Sequence, residues 1–267
     1  MLSYQHAFHA GNAADVHKHA TLAVLLAHLV RKDKPLSYLE THAGDGLYDL
    51  ESPEARKTGE SDGGIGVLLA SALMPLDHPY RRALESVASI PDMVRPYPGS
   101  PAIARALLRP GDTMHLMERH PAAYAALRRR LRSAAVHIHL RDGYEGVLAL
   151  VPPTPRRGLV LVDPSYEVKS EFVQVGQFIP ALHRKWPQAV IMVWYPLLEE
   201  PWHEPMCREL EPRGLPGMQR VEVRFSAAGR GLRGSGILLV NRPFGVEAAL
   251  AQAAAWVPGG VVMLGGA

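Results

Sequence analysis

The sequence predicts one α/β domain built on a parallel sheet of seven strands, covered by helices on both faces and ended by an antiparallel hairpin. Three observations predict it. Short apolar runs rich in β-branched residues alternate with runs of helical period along most of the chain. The last two apolar runs have no room for a helix between them. One stretch, residues 47–98, stands outside the alternation. The 267 residues are 47% apolar and 21% charged, an ordinary globular balance that excludes disorder as the main state.

The elements follow in order. A histidine-rich start leads into a helix over Asp15–Arg31. A strand over Leu36–Thr41 runs into a glycine turn. Residues 47–98 then carry two helices, Gly64–Leu73 and Pro79–Ser89, broken at Met74-Pro75 and ended by Pro91, Pro96 and Pro98. They form a helical insertion that splits the main domain into 1–46 and 99–267. The alternation resumes with a helix at Pro101–Arg109, a strand at Thr113–Glu118, a helix at Pro121–Arg132 and a strand at Val136–Leu140. It continues with a helix at Gly143–Leu150, a strand at Gly158–Asp163, a helix at Ser170–Trp186, a strand at Ala189–Tyr195 and a helix at Pro201–Leu210. Strands at Arg220–Phe225 and Ile237–Asn241 enclose only the Gly- and Arg-rich segment Ser226–Ser235, so they pair as a hairpin. A last helix covers Val246–Trp256.

The composition narrows the setting. Cys207 is the one cysteine, so no internal disulfide and no CxxC metal knuckle can form, which fits a reducing cytoplasm. Met1–Ala10 holds two histidines and no apolar run, unlike a signal peptide. The longest apolar stretch, Ala20–Val30, contains His28 and is too short for a membrane span. No heptad or broad exposed apolar stripe argues for a dimer, so a monomer without an evident protein partner is expected. The net charge of +3 permits a polyanionic partner without requiring one.

The chemistry concentrates at strand ends, where open α/β sheets bind ligands. Ser37-Tyr-Leu-Glu-Thr-His-Ala-Gly-Asp-Gly46 is a strand entering a turn whose Gly44 and Gly46 let backbone approach a ligand, or simply make the turn tight. A third glycine is missing, so it is not a dinucleotide fingerprint. Glu118 ends the next strand, as a ribose-binding acid would, or caps the helix at Pro121. It lies further from the glycines than the usual spacing of about 20 residues, and the insertion accounts for the surplus. Asp142 ends the third strand beside Gly143, to accept from an adenine amino group or to cap the helix that follows.

The strongest signal is Leu159-Val-Leu-Val-Asp-Pro-Ser-Tyr-Glu167. A buried strand delivers Asp163, Pro164, Ser165 and Tyr166 to its tip. An acceptor carboxylate, a stiff turn with free carbonyls and a flat ring suit a planar group bearing an exocyclic amine. Among the histidines, His17 and His19 are two apart and point to different sides of a helix, so no metal site is expected. Arg128, Arg129, Arg130 and Arg132 read as a solvated helix face, and Arg156-Arg157 form a second basic pair. Arg230 and Arg233, in the hairpin loop near the sheet rim, form a candidate grip for phosphates.

Five segments together carry a resemblance. They are Met1–His19, Thr41-His-Ala-Gly44, Tyr97-Pro-Gly-Ser-Pro-Ala-Ile-Ala-Arg105, Leu161–Glu167 and Trp194-Tyr-Pro196. Over nearly its whole length the chain resembles the bacterial 23S ribosomal RNA adenine-2030 N6-methyltransferases of the large-subunit J type. The fourth segment also resembles the wider amino-methyltransferase signature Asp-Pro-Pro-Tyr. The resemblance implies a Rossmann-like class I methyltransferase sheet with a small helical insertion, S-adenosyl-L-methionine as cofactor without a metal, and 23S rRNA as partner. It implies cofactor contacts at His19, His42, Gly44, Ser100, Glu118, Asp142, Gly143 and Asp163. Asp163 is the implied catalytic acid, with Pro164 and Tyr166 beside it, and Tyr4 is an implied RNA contact. Tyr166, Arg230 and Arg233 complete the expected RNA-facing set. Ser165 departs from the signature, where a second proline is usual, and leaves the loop less rigid. Asp45 adds a negative charge to the glycine turn. Two alternatives stand beside this reading: an amino-methyltransferase acting on DNA adenine, and a non-catalytic RNA-binding protein that kept the fold.

Overall fold

Residues Gly158–Val162 are five buried residues in a row. Leu159 and Leu161 enter one apolar core, Val160 and Val162 the other. A strand with no solvent face needs helices on both sides of its sheet. The computed structural model, which describes residues 5–226 and 231–265, has that architecture.

In chain order, helix α1 (Ala13–Val30) leads to strand β1 (Ser37–Glu40). The next segment holds β2 (Leu47–Asp49), α2 (Pro53–Thr58), α3 (Val67–Ala70), α4 (Pro79–Val87) and β3 (Pro96–Pro98), with β2 and β3 paired as a separate ribbon. Then come α5 (Ser100–Leu107), β4 (Thr113–Glu118), α6 (Pro121–Leu131), β5 (Val136–Leu140), α7 (Gly143–Leu150), β6 (Gly158–Val162) and α8 (Ser170–Lys185). The chain ends with β7 (Val190–Leu198), α9 (His203–Leu210), β8 (Gln219–Phe225), β9 (Leu232–Val240), α10 (Glu247–Ala255) and β10 (Gly260–Gly265).

The main sheet runs β10-β8-β9-β7-β6-β1-β4-β5. Strands β5, β4, β1, β6 and β7 are parallel, and β9 returns antiparallel to both β7 and β8. The seven expected strands are all present, and this order with its antiparallel closing strand is the class I methyltransferase arrangement. An eighth strand, β10, adds antiparallel to β8 at the edge. It lies beyond the last expected element, the helix over Val246–Trp256. The hairpin also differs: β9 begins at Leu232, so Arg233 lies on a strand and not in the loop. Gly236 permits this, since a Cβ there would meet the Tyr195 ring at 2.1 Å. A glycine that reads as a loop residue is here the space into which a neighbouring ring packs.

Helix α1 is the element on which the cleft rests. Asn12 caps it by accepting from the Asp15 amide at 2.9 Å. Its body, Ala20–Leu26, is buried all round, because the sheet lies on one side and α4, α5 and α10 on the others. Tyr80, Ile65, Leu68 and Met74 from the 47–98 segment share one apolar core with Val16, Ala20 and Leu22 of α1. The polar first turns, Asp15 to His19, are therefore held at a fixed height above the sheet. His17 faces β9, where its Nδ1 lies 3.0 Å from Ser235 Oγ. His19 turns the other way, with Nδ1 2.8 Å from the Tyr97 hydroxyl. No helix among the described residues is long and apolar enough to cross a membrane. Cys207 is fully buried on α9, and burial pushes its thiol up to about 12.

The burial of His17 has a consequence for acid stability. Burial lowers its imidazole to about 4, although the Ser235 contact opposes the shift. The unfolded chain binds a proton there below about pH 6.5, which the folded chain refuses until about pH 4. Stability from this site is therefore complete above pH 6.5 and is lost as pH falls through that window. Urea unfolding at pH 7.5 and pH 5 should differ by up to about 2 kcal/mol from this group alone. His17→Gln should shrink that difference, and an unchanged difference would remove His17 from the account.

Candidate active site

The carboxyl ends of β1, β4, β6 and β7 open into a cleft of about 910 Å³. His19, His42, Gly44, Ser100, Glu118, Asp142, Gly143, Asp163, Pro164 and Tyr166 all line it. Tyr4 and Arg230 lie outside the described residues. Arg233 lines a neighbouring cavity, because its strand position turns it away from the cleft.

Strand β6 delivers Asp163 to the floor, where its Oδ2 accepts from Lys18 Nζ at 2.7 Å. The same ammonium lies 3.0 Å from Asp15 Oδ1, one turn back on α1. Lys18 is 5% exposed and Asp15 2%, so two of the three charges are buried, and Asp163, with its side chain 12% exposed, meets the cleft. Asp15 also accepts from the Gly11 amide at 2.9 Å and contacts His6 Nε2 at 2.9 Å. Burial alone would push the Asp15 carboxyl up, but His6, Lys18 and His19 hold it well below the usual carboxylate range. With Oδ2 occupied, Asp163 Oδ1 accepts no hydrogen bond from the described residues, and neither does the Pro164 carbonyl. Two acceptors thus remain open at the cleft floor.

Tyr166 departs from the flat open platform that its motif suggested. It is only 6% exposed, its hydroxyl donates to the Trp194 carbonyl at 2.8 Å, and its ring packs 4.3 Å from Phe172. Its φ of +54° is unusual for a bulky side chain and makes the turn that carries the ring inward. Ser165 restores some of the stiffness that a proline would give. Its hydroxyl reaches Glu171 Oε2 and accepts from the Glu167 amide, both at 3.4 Å.

The opposite wall comes from β1, β4 and α7. Glu118 accepts from the Gly44 amide at 2.8 Å and the His120 amide at 2.6 Å, which fixes the carboxylate against the glycine turn. Burial raises it, and those amides oppose the rise. Asp142 caps α7 through the Glu145 amide at 3.1 Å and also faces the cleft, so the cap does not take it out of reach of a ligand there. Gly143 cannot carry a side chain, since a Cβ would lie 2.0 Å from the Thr41 carbonyl oxygen. This contact seats the first turn of α7 directly on the end of β1. His42 contacts Thr41 Oγ1 at 2.8 Å, stacks edge-on to Tyr144, and is lowered to about 4 by burial. Burial lowers His19 to about 3, so both imidazoles are neutral at pH 7. Asp45 also lines the cleft, and burial raises its carboxyl.

Several working residues escaped the sequence reading. Lys18 and Asp15 lie inside the Met1–His19 segment, one helical turn apart, but nothing in it reveals a partner 145 residues away. Glu40 is fully buried and receives the hydroxyls of Tyr38 and Ser100. Burial pushes it up to about 8. Trp194 stands beside the ion pair, with its ring centroid 5.4 Å from Lys18 Nζ. A separate group, His203, Glu204 and Glu222, brings three potential metal-ligand atoms within 4.8 Å of one another. Arg220 already bonds both carboxylates, at 2.9 and 2.6 Å, so the group is an ion-pair cluster closed by its own cation.

A family model described as "RsmJ: Ribosomal RNA large subunit methyltransferase D, RlmJ" matches residues 33–267. The chain is 34% identical over 274 residues to the ribosomal RNA large subunit methyltransferase J of Escherichia coli K12, covering 99% of this chain and 96% of that one. It is 38% identical over 251 residues to the Haemophilus influenzae protein of the same name, covering 92% and 89%. A Legionella pneumophila crystal structure superposes with a TM-score of 0.86 at 33% identity, covering 96% of this chain and 98% of that one.

Two substitutions probe the geometry. Lys18→Met leaves Asp15 and Asp163 facing each other without a cation, and unfolding free energy should fall by about 3–5 kcal/mol. An unchanged melting temperature would show that the ammonium is dispensable. Gly143→Ala should push α7 off the end of β1 and weaken ligand binding in the cleft at least about tenfold while the fold survives. Calorimetric titration of the purified variant measures it.

Proposed function

We infer the reaction from one premise: the chain belongs to the ribosomal RNA large subunit methyltransferase J family. It transfers a methyl group from S-adenosyl-L-methionine to N6 of one adenine in 23S ribosomal RNA, the position being that of the family, adenine 2030. The observation that carries this reading is the pair of open acceptors at the cleft floor, Asp163 Oδ1 and the Pro164 carbonyl.

The cleft suits the cofactor. Eight carboxylates line it against Lys18 and Arg119, so it favours a ligand with cationic centres. The Gly143–Thr41 contact and the Glu118-bound glycine turn bring bare backbone to the cleft wall. In this reading Glu118 meets the ribose hydroxyls, Asp142 and Gly143 the adenine end, and His19, His42 and Ser100 the amino-acid end. The cofactor supplies a methyl group on a sulfonium, which departs as a neutral thioether.

The protein's own residues do the rest. The N6 lone pair of adenine is delocalised into the ring and is a poor nucleophile. Hydrogen bonds from its two N–H groups to Asp163 Oδ1 and the Pro164 carbonyl aim that lone pair along the line of transfer and stabilise the charge that develops. Lys18 fixes the Asp163 rotamer by holding Oδ2. Asp163 Oδ1 is placed to accept the proton that N6 sheds. Orientation and exclusion of water supply most of the acceleration, for which about 7–11 kcal/mol is available. The target base reaches the floor only after leaving its stack. Residues 47–98 act as an insertion that walls the cleft, through Tyr48 and Glu60.

Methyl transfer from labelled S-adenosyl-L-methionine to unmodified 23S rRNA tests this, with duplex DNA in parallel. Label should map to N6 of one adenine. Asp163→Asn should lower turnover by at least about a thousandfold while cofactor affinity falls far less. Equal losses would reduce Asp163 to a cofactor ligand, and labelled DNA with unlabelled RNA would overturn the substrate class.

A further inference from the structure

A second cavity, of about 530 Å³, opens beside the cleft. Strand β7 separates the two. Pro196 and Leu198 line the cleft, Leu197 and Glu199 line the second cavity, and Leu198 reaches both. The alternation of a strand thus divides its tip between two sites. Strand β9 does the same, with Leu232 on the cleft and Arg233 on the second cavity.

The two cavities differ in charge. Where the cleft wall is strongly acidic, the second cavity carries Arg224 and Arg233 against Glu199. Arg224 is exposed and forms no ion pair among the described residues. Arg233 lies 3.4 Å from Glu199, whose side chain is 76% exposed and can swing into water. Phe225 adds an aromatic wall, and the buried His203 beneath has a ring nitrogen, Nδ1, without a hydrogen-bond partner in the described residues.

We propose that this cavity seats the nucleotide next to the target adenine, with its phosphate on Arg224 and Arg233 and its base or sugar against Phe225. This placement rests on the methyltransferase reading and follows from charge. An adenine that enters an acidic cleft brings a phosphate on each side. Neither phosphate can follow the base inward against eight carboxylates. The basic cavity across Leu198 offers the adjacent phosphate a counter-charge, and its volume is that of a small-ligand site. Phosphate contacts of this kind fix register and leave base identity to the cleft.

The test uses the full chain and a hairpin of 23S rRNA containing the target adenine. Binding is followed by fluorescence anisotropy from about 50 to 200 mM salt. Arg224→Gln and Arg233→Gln should each weaken RNA binding about three- to fivefold and lower the salt slope by about one. Cofactor affinity should stay at the wild-type value. Arg184→Gln, exposed in the last turn of α8 at the amino ends of the strands, is the control and should match wild type. In a second arm, a neutral methylphosphonate replaces the phosphate on either side of the target. One of the two replacements should weaken wild-type binding as much as Arg224→Gln does, and should add little to that variant. Arginine variants with wild-type affinity and slope, on RNA that the wild type methylates, overturn the proposal alone. A wild type that neither binds nor methylates the RNA overturns the methyltransferase reading, and the subsite with it.

Discussion

One ammonium group, Lys18 Nζ, sits between two carboxylates that belong to different parts of the fold. Asp15 is on its own helix and Asp163 is at the tip of a central strand. Charges so largely withdrawn from water are costly to bury unless their geometry is tight. Here it is tight because α1 is locked between the sheet and the helices around it, so the first turns cannot shift. The ion pair in turn fixes which oxygen of Asp163 is occupied and which is open. Packing of apolar residues far up α1, from Ala20 to Leu26, therefore reaches the chemistry through a single rigid rod.

A second constraint is electrostatic. Helices α1, α5, α6 and α7 all begin at the cleft, and each helix start carries a partial positive charge. The carboxylates more than offset this. Asp15 and Asp142 do so while bonding backbone amides at those helix starts, so they satisfy local donors and set the sign of the cleft together. Arg224 and Arg233 lie across β7 from it, beside the β8–β9 hairpin. The surface is sorted by charge over the width of one strand.

Much of this was legible in the sequence because the central strands are buried on both faces and read as unbroken apolar runs. The hairpin was legible too, since nothing between its strands could make a helix. The missing pieces have physical reasons. Strand β10 is a short glycine-flanked run beyond the last helix, and its pairing partner is β8, far from it in sequence. The start of β9 was hidden because Gly236 gives the Tyr195 ring its space, and glycine reads as loop. At the site, residues at strand tips were found because the fold fixes where strand tips go. Lys18 and Glu40 were not, because their roles depend on partners met only in three dimensions. The Tyr166 motif was recognised, yet its ring proved anchored to Trp194 and mostly covered.

The single cysteine has a use of its own. Cys207 points from α9 into the second core, with its thiol fully covered and held protonated. A thiol reacts as its thiolate, so a reagent in solution meets almost none of the native molecule. Labelling waits for the core to open, and its rate counts opening events. The chain thus carries an internal clock for its own unfolding. A cysteine added at the cleft rim would report on that rim alone, against a silent background.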